Sequence, residues 1–176
     1  CQSVGIDYMA TVFLPQDVET VAPYVRHFKI ASFEARDDEM FHAVRKAPPS
    51  VDETLLIVSL GMGAPWPSGR EYAGPRRTVK LLRCVSSYPP PADALQLAAL
   101  RPGMGDGGEY VPGLDGLSDH TGPELTWTGA LAVAAGATIV EAHLRLADTD
   151  PNNPDFPHAM TPDQFAEYVR KIRFAE

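Results

Sequence analysis

The sequence predicts an α/β fold of repeated β/α units around a parallel sheet, and three observations carry that prediction. Short apolar runs alternate with helix-like runs along the chain, which is the pattern of strand–helix repeats. Six of the apolar runs have the length and composition of strands. The stretches between most of them have helical spacing, and some carry recognisable caps.

The first strand is read at Ile6 to Phe13, the second at His27 to Ala31 and the third at Leu55 to Ser59. The fourth runs from Val79 to Val85, the fifth is a very short one around Gly113 to Ser118, and the sixth covers Thr138 to Leu144. A helix is expected over Pro15 to Val25, with Asp17 and Glu19 near its start, where the helix dipole favours acids. Asp37 to Lys46 follows, with Met40, Phe41 and Val44 at helical spacing. Ala92 to Leu100 reads as a short apolar helix. Gly122 to Ala135 is rich in Ala and Leu and stops at Gly136, a residue suited to the left-handed turn that ends helices. The last helix, Thr161 to Phe174, has Thr161 as N-cap, Pro162 at its first position and Gln164 three residues after the cap, which together form a capping box. The pattern fails between Met62 and Val79, where Pro and Gly exclude a regular helix. Arg101 to Pro112 is Gly-rich and reads as loop.

The chain has 176 residues, enough for one domain, and no internal repeat or linker divides it, so residues 1–176 are read as a single domain. Its 44% hydrophobic content allows a packed core. The net charge of −8 argues against a general nucleic-acid binder, which needs clustered Lys and Arg. No apolar run is long enough to cross a membrane and no secretory signal is visible, so the cytoplasm is the expected compartment. The two cysteines, Cys1 and Cys84, have neither zinc spacing nor a disulfide framework, and Cys84 reads as a buried free thiol. The chain starts at Cys1 and enters structure almost at once, so its start reads as cut from something longer.

In a β/α barrel the chemistry sits at the C-terminal strand ends and the loops after them. Those positions gather polar and ionisable groups. The hydroxyls of Thr11, Ser32, Ser59, Ser86 and Ser118, with Lys29, suit one phosphate or carboxylate. A strand lysine needs an anionic partner, because burying an unpaired ammonium is costly. His120 and His143 follow adjacent strands, and neutral imidazole is a common ligand of divalent metals. Plainer readings stand beside these. Lys29 equally suits a structural ion pair with Glu34 or Asp119, and two histidines taken alone are more often hydrogen-bonding residues than metal ligands. His27, His42 and His158 read as surface or structural, and Trp66 and Tyr72 as loop residues that either cover a site or pack the loop down.

The order of motifs adds to this reading. Lys29-Ile-Ala-Ser-Phe-Glu34, Ser59-Leu-Gly-Met62, Cys84-Val-Ser-Ser-Tyr-Pro89, Gly116-Leu-Ser-Asp-His-Thr121 and Glu141-Ala-His143 together resemble the sialic acid synthase family, which includes the N-acetylneuraminate, legionaminate and pseudaminate synthases. Gly5 to Phe13 resembles the third strand of that family's barrel, and Asn153 to Met160 the segment after its eighth. The resemblance implies a TIM-type barrel matched over strands three to eight, with the first two β/α units and the family's C-terminal antifreeze-like domain outside the match. It implies that His120 and His143 bind Mn2+ or Mg2+, that Thr11, Lys29, Ser32, Ser59, Ser86 and Ser118 hold phosphoenolpyruvate, and that Tyr88 and Asp155 contact an N-acetylmannosamine-type sugar. It makes Glu34 a candidate to orient water or relay a proton. The implied reaction joins the enol carbon of phosphoenolpyruvate to the sugar aldehyde and releases phosphate.

The sequence departs from the family's pattern in two side chains, Val12 for a usual proline and Leu60 for a common threonine, and in the Pro/Gly stretch that replaces an expected helix. Two alternatives follow: a non-catalytic relic with a binding or assembly role, and another phosphoenolpyruvate-dependent aldolase-type synthase. The oligomeric state is open to a homodimer or a complementing chain.

Overall fold

The structure is a computed structural model and describes residues 1–47, 54–62, 77–104, 110–111 and 113–176. The Pro/Gly stretch at 63–76, with Trp66 and Tyr72, lies outside the described residues. The chain divides into two compact units, Cys1–Leu81 and Leu82–Glu176.

The first unit holds β1 (Met9–Val12), α1 (Pro15–Val21), β2 (His27–Ile30), α2 (Asp38–Lys46) and β3 (Thr54–Leu60). The three strands are parallel, with Thr11 opposite Lys29 and Lys29 opposite Ile57. Their inner positions are apolar and closed to solvent: Val12, Phe28, Ile30, Leu56 and Val58 are buried. The helices cover the strands through Val18, Met40, Phe41 and Val44. Each fully buried side chain of this size contributes about 1.5–3 kcal/mol relative to exposure. Asp37 caps α2, its Oδ1 accepting from the amides of Glu39 and Met40 at 2.9 and 3.2 Å. His27 is a structural residue, as read: its Nδ1 accepts from the Leu55 amide at 3.0 Å and so ties β2 to the start of β3.

The second unit takes over within β4 (Arg77–Cys84) and continues with a short antiparallel pair, β5 (Gly103–Met104) and β6 (Tyr110–Val111). Then come β7 (Gly116–Asp119), α3 (Thr128–Ala134), β8 (Ile139–Ala142) and α4 (Pro162–Ala175). Strands β4, β7 and β8 are parallel neighbours in that order. α4 begins as the sequence predicts, with Thr161 and Gln164 closing a reciprocal capping box. Gly136 has φ of +113°, and the amide of Ala137 reaches back to the Ala132 carbonyl, so the glycine ends α3 as expected.

Three helices differ from expectation, α1 only in ending at Val21 rather than Val25. Ala92 to Leu100 is two 3-10 turns, Ala92–Leu95 and Leu97–Leu100, separated by Gln96 with φ of +48°. The Arg83 guanidinium explains the break: it donates to the carbonyls of Ala94 and Leu95 and to the Gln96 side chain, occupying acceptors that a continuous helix would use itself. The predicted helix at Gly122 starts late. Gly122 has φ of +72°, Pro123–Leu125 forms a 3-10 turn, and α3 begins only at Thr128. A Cβ at Gly122 would stand 2.9 Å from the Cα of His158, so the glycine is required by close approach as well as by conformation.

Candidate metal and anion-binding residues

In parallel strands, side chains two residues apart share a face, and register fixes which of them line up between strands. Cys84, Ser118 and Glu141 are register partners across β4, β7 and β8, so they form one row. Two residues on, past the strand ends, stand Ser86, His120 and His143. Spacing alone therefore makes a second row above the first.

The first row holds the second in place. Ser118 donates its hydroxyl hydrogen to Glu141 Oε1 at 2.9 Å. His120 Nε2 lies 3.4 Å from the same Ser118 oxygen, while its Nδ1 donates to the Val85 carbonyl at 3.1 Å and lies 4.0 Å from the Cys84 sulfur. A carbonyl only accepts, so Nδ1 carries hydrogen. Since the Ser118 hydrogen is spent on Glu141, Nε2 of a neutral His120 keeps a lone pair with no hydrogen aimed at it, which is the state of a metal-ligating imidazole. Burial by itself opposes charging of His120, yet the Cys84 sulfur, the Val85 carbonyl and the Glu141 carboxylate outweigh it and hold its pKa above the ordinary imidazole value. Without a metal, a proton fits the same nitrogen.

The ring of His143 lies 5.2 Å from that of His120, centroid to centroid. A bound ion sits about 3 Å from the centroid of a ligating imidazole, so rings at this spacing can share one. Tyr88 packs on His120 at 4.4 Å and on a third histidine, His158, at 4.6 Å. The sequence reads His158 as surface or structural, and the structure excludes the surface. It is 3% exposed, its ring lies 4.6 Å from His143, and among the described residues neither of its nitrogens makes a hydrogen bond. Asp155 stands against both rings, Oδ2 3.5 Å from His143 Nδ1 and Oδ1 3.4 Å from His158 Nε2. Burial and the neighbouring His143 push the His158 pKa down, and Asp155 opposes them. Sequence reasoning missed His158 because its loop has no periodicity. The Met160 amide donates to the His143 carbonyl at 2.9 Å, and this extension of β8 carries His158 to the histidine pair.

The remaining candidates lie in the first unit. Lys29 is 4% exposed, and its register partner Thr11 lies beside it on β1. Ser32 and Ser59 are buried, and Ser59 Oγ makes no hydrogen bond among the described residues. Glu34 is half-buried, with Oε2 equally without a hydrogen-bond partner there. Asp119 serves another purpose than ion pairing. Its Oδ1 accepts from the Thr121 amide and hydroxyl at 2.9 and 2.7 Å, and its Oδ2 from the Tyr168 hydroxyl at 2.6 Å.

Parallel strands with ionisable groups past their C-terminal ends are the arrangement of a β/α barrel. The family model of the NeuB family matches residues 1–176, and the chain belongs to that family. It is 32% identical over 99% of its length to an uncharacterised protein of Methanocaldococcus jannaschii, of which it covers 50%. It is 28% identical over 99% of its length to a pseudaminic acid synthase of Campylobacter jejuni, of which it covers 49%. The chain thus spans about half the length of these relatives. Among solved structures, the N-acetylneuraminic acid synthetase of Leptospira borgpetersenii superposes with a TM-score of 0.75 at 25% identity, covering 99% of this chain and 58% of that one. A truncated 3-deoxy-D-arabino-heptulosonate 7-phosphate synthase of Thermotoga maritima reaches 0.74 at 13% identity, over 98% of this chain and 66% of that one, and shares the fold. The fold class is that of a TIM-type barrel, represented by six of its strands.

Proposed function

We propose that this chain carries the metal-binding and phosphoenolpyruvate-binding residues of a nonulosonic acid synthase, which condenses phosphoenolpyruvate with an N-acetylmannosamine-type aldehyde and releases phosphate. The observation that carries this reading is His120. Its Nδ1 is committed to a carbonyl, its Nε2 lone pair has no hydrogen aimed at it, and His143 stands beside it.

His120 and His143 fit a divalent ion such as Mn2+ or Mg2+ through their nitrogens, and such an ion, when bound, supplies Lewis-acid polarisation of the aldehyde oxygen. The chain's own residues do the rest. Lys29, with Thr11, Ser32 and Ser59, offers an ammonium and hydroxyls to the phosphate and carboxylate of phosphoenolpyruvate, whose charge persists through the reaction. Within the second unit, Ser86 and Ser118 are the candidate hydroxyls for phosphoenolpyruvate. Tyr88, half exposed and lying on His120, presents its ring and hydroxyl to the sugar. Asp155 also belongs to the sugar-facing set. Glu34, with a carboxylate oxygen free of hydrogen bonds among the described residues, orients the water. In the balance, the enol carbon bonds to the aldehyde carbon and the aldehyde oxygen gains a proton. Water adds at the second carbon of the former enol, and the bond from that carbon to the phosphate oxygen breaks.

The test is aldehyde-dependent phosphate release. The full-length gene product, given Mn2+, phosphoenolpyruvate and N-acetylmannosamine or a related hexosamine, should release phosphate only when the sugar is present. Absence of release with every such sugar would leave a non-catalytic relic as the correct reading.

A further inference from the structure

We propose that His158 and Asp155 join His143 as protein ligands of the divalent metal, so that this chain grips the ion with more than a histidine pair. The proposal deepens the functional reading above and rests on it only in requiring that a metal binds at all.

Three observations converge. First, one donor atom from each of His143, Asp155 and His158 falls within 4.8 Å of the others. Asp155 reaches the two imidazoles through different oxygens, at 3.5 and 3.4 Å. Those separations are long for charge-assisted hydrogen bonds, which run to about 2.9 Å. They lie close to the separations of donors around one ion, where ligand bonds of about 2.1 Å place neighbours roughly 3.0–3.4 Å apart, so a few tenths of an ångström of closure completes the shell. Second, His158 is 3% exposed and neither ring nitrogen has a hydrogen bond among the described residues. A buried imidazole left in that state is costly, and coordination removes the cost. Third, its position is built. The amides of His158 and Ala159 both turn back to the Asp155 carbonyl, at 3.2 and 2.9 Å. The Asp155 amide is held by Asn153 Oδ1, and Arg145 donates to the Ala159 carbonyl at 3.2 Å while stacking on Phe156. Gly122, lacking a Cβ, lets the loop after β7 close on the His158 backbone. A residue fixed in this way brings a preformed donor rather than a mobile one.

The competing explanation is an ion-paired cluster in which Asp155 serves only to neutralise protonated rings. Mn2+ titration of the full chain by calorimetry, with pulsed electron paramagnetic resonance to count coordinated nitrogens, separates the two. Two variants are compared with the parent: His158→Gln, which keeps much of the volume, and Asp155→Asn, which lies on the surface and leaves packing intact. The proposal expects each to weaken Mn2+ binding at least tenfold, and H158Q to lose one coordinated nitrogen, with unfolding curves showing both variants folded. If both bind Mn2+ as tightly as the parent with an unchanged nitrogen count, the proposal is overturned while the His120–His143 reading survives. If the parent itself binds no Mn2+, the metal reading falls as a whole and the proposal with it. Should H158Q fail to fold, D155N decides alone.

Discussion

The Tyr168 hydroxyl on α4 donates to Asp119 Oδ2 at 2.6 Å, both groups being buried. Asp119 is therefore the pin between the last helix and β7 and not a member of the histidine cluster, although it sits one residue before His120. Thr121 closes the network by donating its hydroxyl hydrogen to Asp119 Oδ1, and its oxygen lies 3.1 Å from that of Thr128, which itself donates to the Leu125 carbonyl.

This pin predicts a stability effect with a definite pH dependence. Tyr168→Phe leaves a buried carboxylate short of a donor and should cost about 1–3 kcal/mol. Burial, then the Asp119 charge and hydrogen bond, raise the Tyr168 pKa far above its ordinary value of 10.0. The folded state thus holds this proton more tightly than the unfolded chain does. The corresponding stability is whole below pH 10 and declines above it, as the unfolded tyrosine ionises and the folded one does not. Urea unfolding at pH 8 and at pH 10.5–11 should show the parent losing more than Y168F. An equal loss in both would mean that Tyr168 is not held as described.

Gly122→Ala tests how the β7 loop supports the cluster. The added methyl meets the His158 Cα at 2.9 Å and forces a side chain into a φ of +72°. The expected cost is about 1–3 kcal/mol, together with weaker Mn2+ binding as His158 is displaced. A variant with native thermal stability would contradict the close approach.

Ser118→Ala removes the hydroxyl that Glu141 accepts from and that faces His120 Nε2. Losing one buried donor to a carboxylate should destabilise the fold by about 1–3 kcal/mol and make Mn2+ binding more variable in its nitrogen count. Unchanged stability would show that Glu141 is satisfied without Ser118.

Lys29→Met should weaken retention of phosphoenolpyruvate, since methionine fills much of the same buried space without a charge. The loss of charge-assisted hydrogen bonds is worth about 1.5–3 kcal/mol, or roughly a tenfold to hundredfold rise in dissociation constant. Equilibrium dialysis with labelled ligand measures it, and equal binding by K29M would remove Lys29 from the anion-binding set.

Much of this was legible in the sequence. The six strands follow from apolar runs, and the capping box of Thr161 and Gln164 marked the start of α4 to the residue. The strand-end position of Cys84 predicts a buried thiol outside any disulfide, which is what the structure holds. What was not legible depends on contacts distant in sequence. The Ala/Leu-rich stretch after Pro91 has helical propensity, but Arg83, more than ten residues earlier, takes its carbonyls and breaks it at Gln96. His158 sits in an aperiodic loop, and only the pairing of Met160 with the end of β8 brings it beside His143. The Ser118-Asp-His-Thr121 run is read correctly as a unit only when its alternate residues are separated. Ser118 and His120 belong to the row over β4, β7 and β8, whereas Asp119 and Thr121 face α3 and α4.

The central claim, that this histidine cluster is a metal centre, is tested most directly by diffraction from crystals soaked in Mn2+ and recorded at the manganese absorption edge. The account predicts one strong anomalous peak within about 2.3 Å of a ring nitrogen of His143, with His120, His158 and Asp155 around it. No peak at these residues, or a peak held elsewhere on the chain, would contradict it.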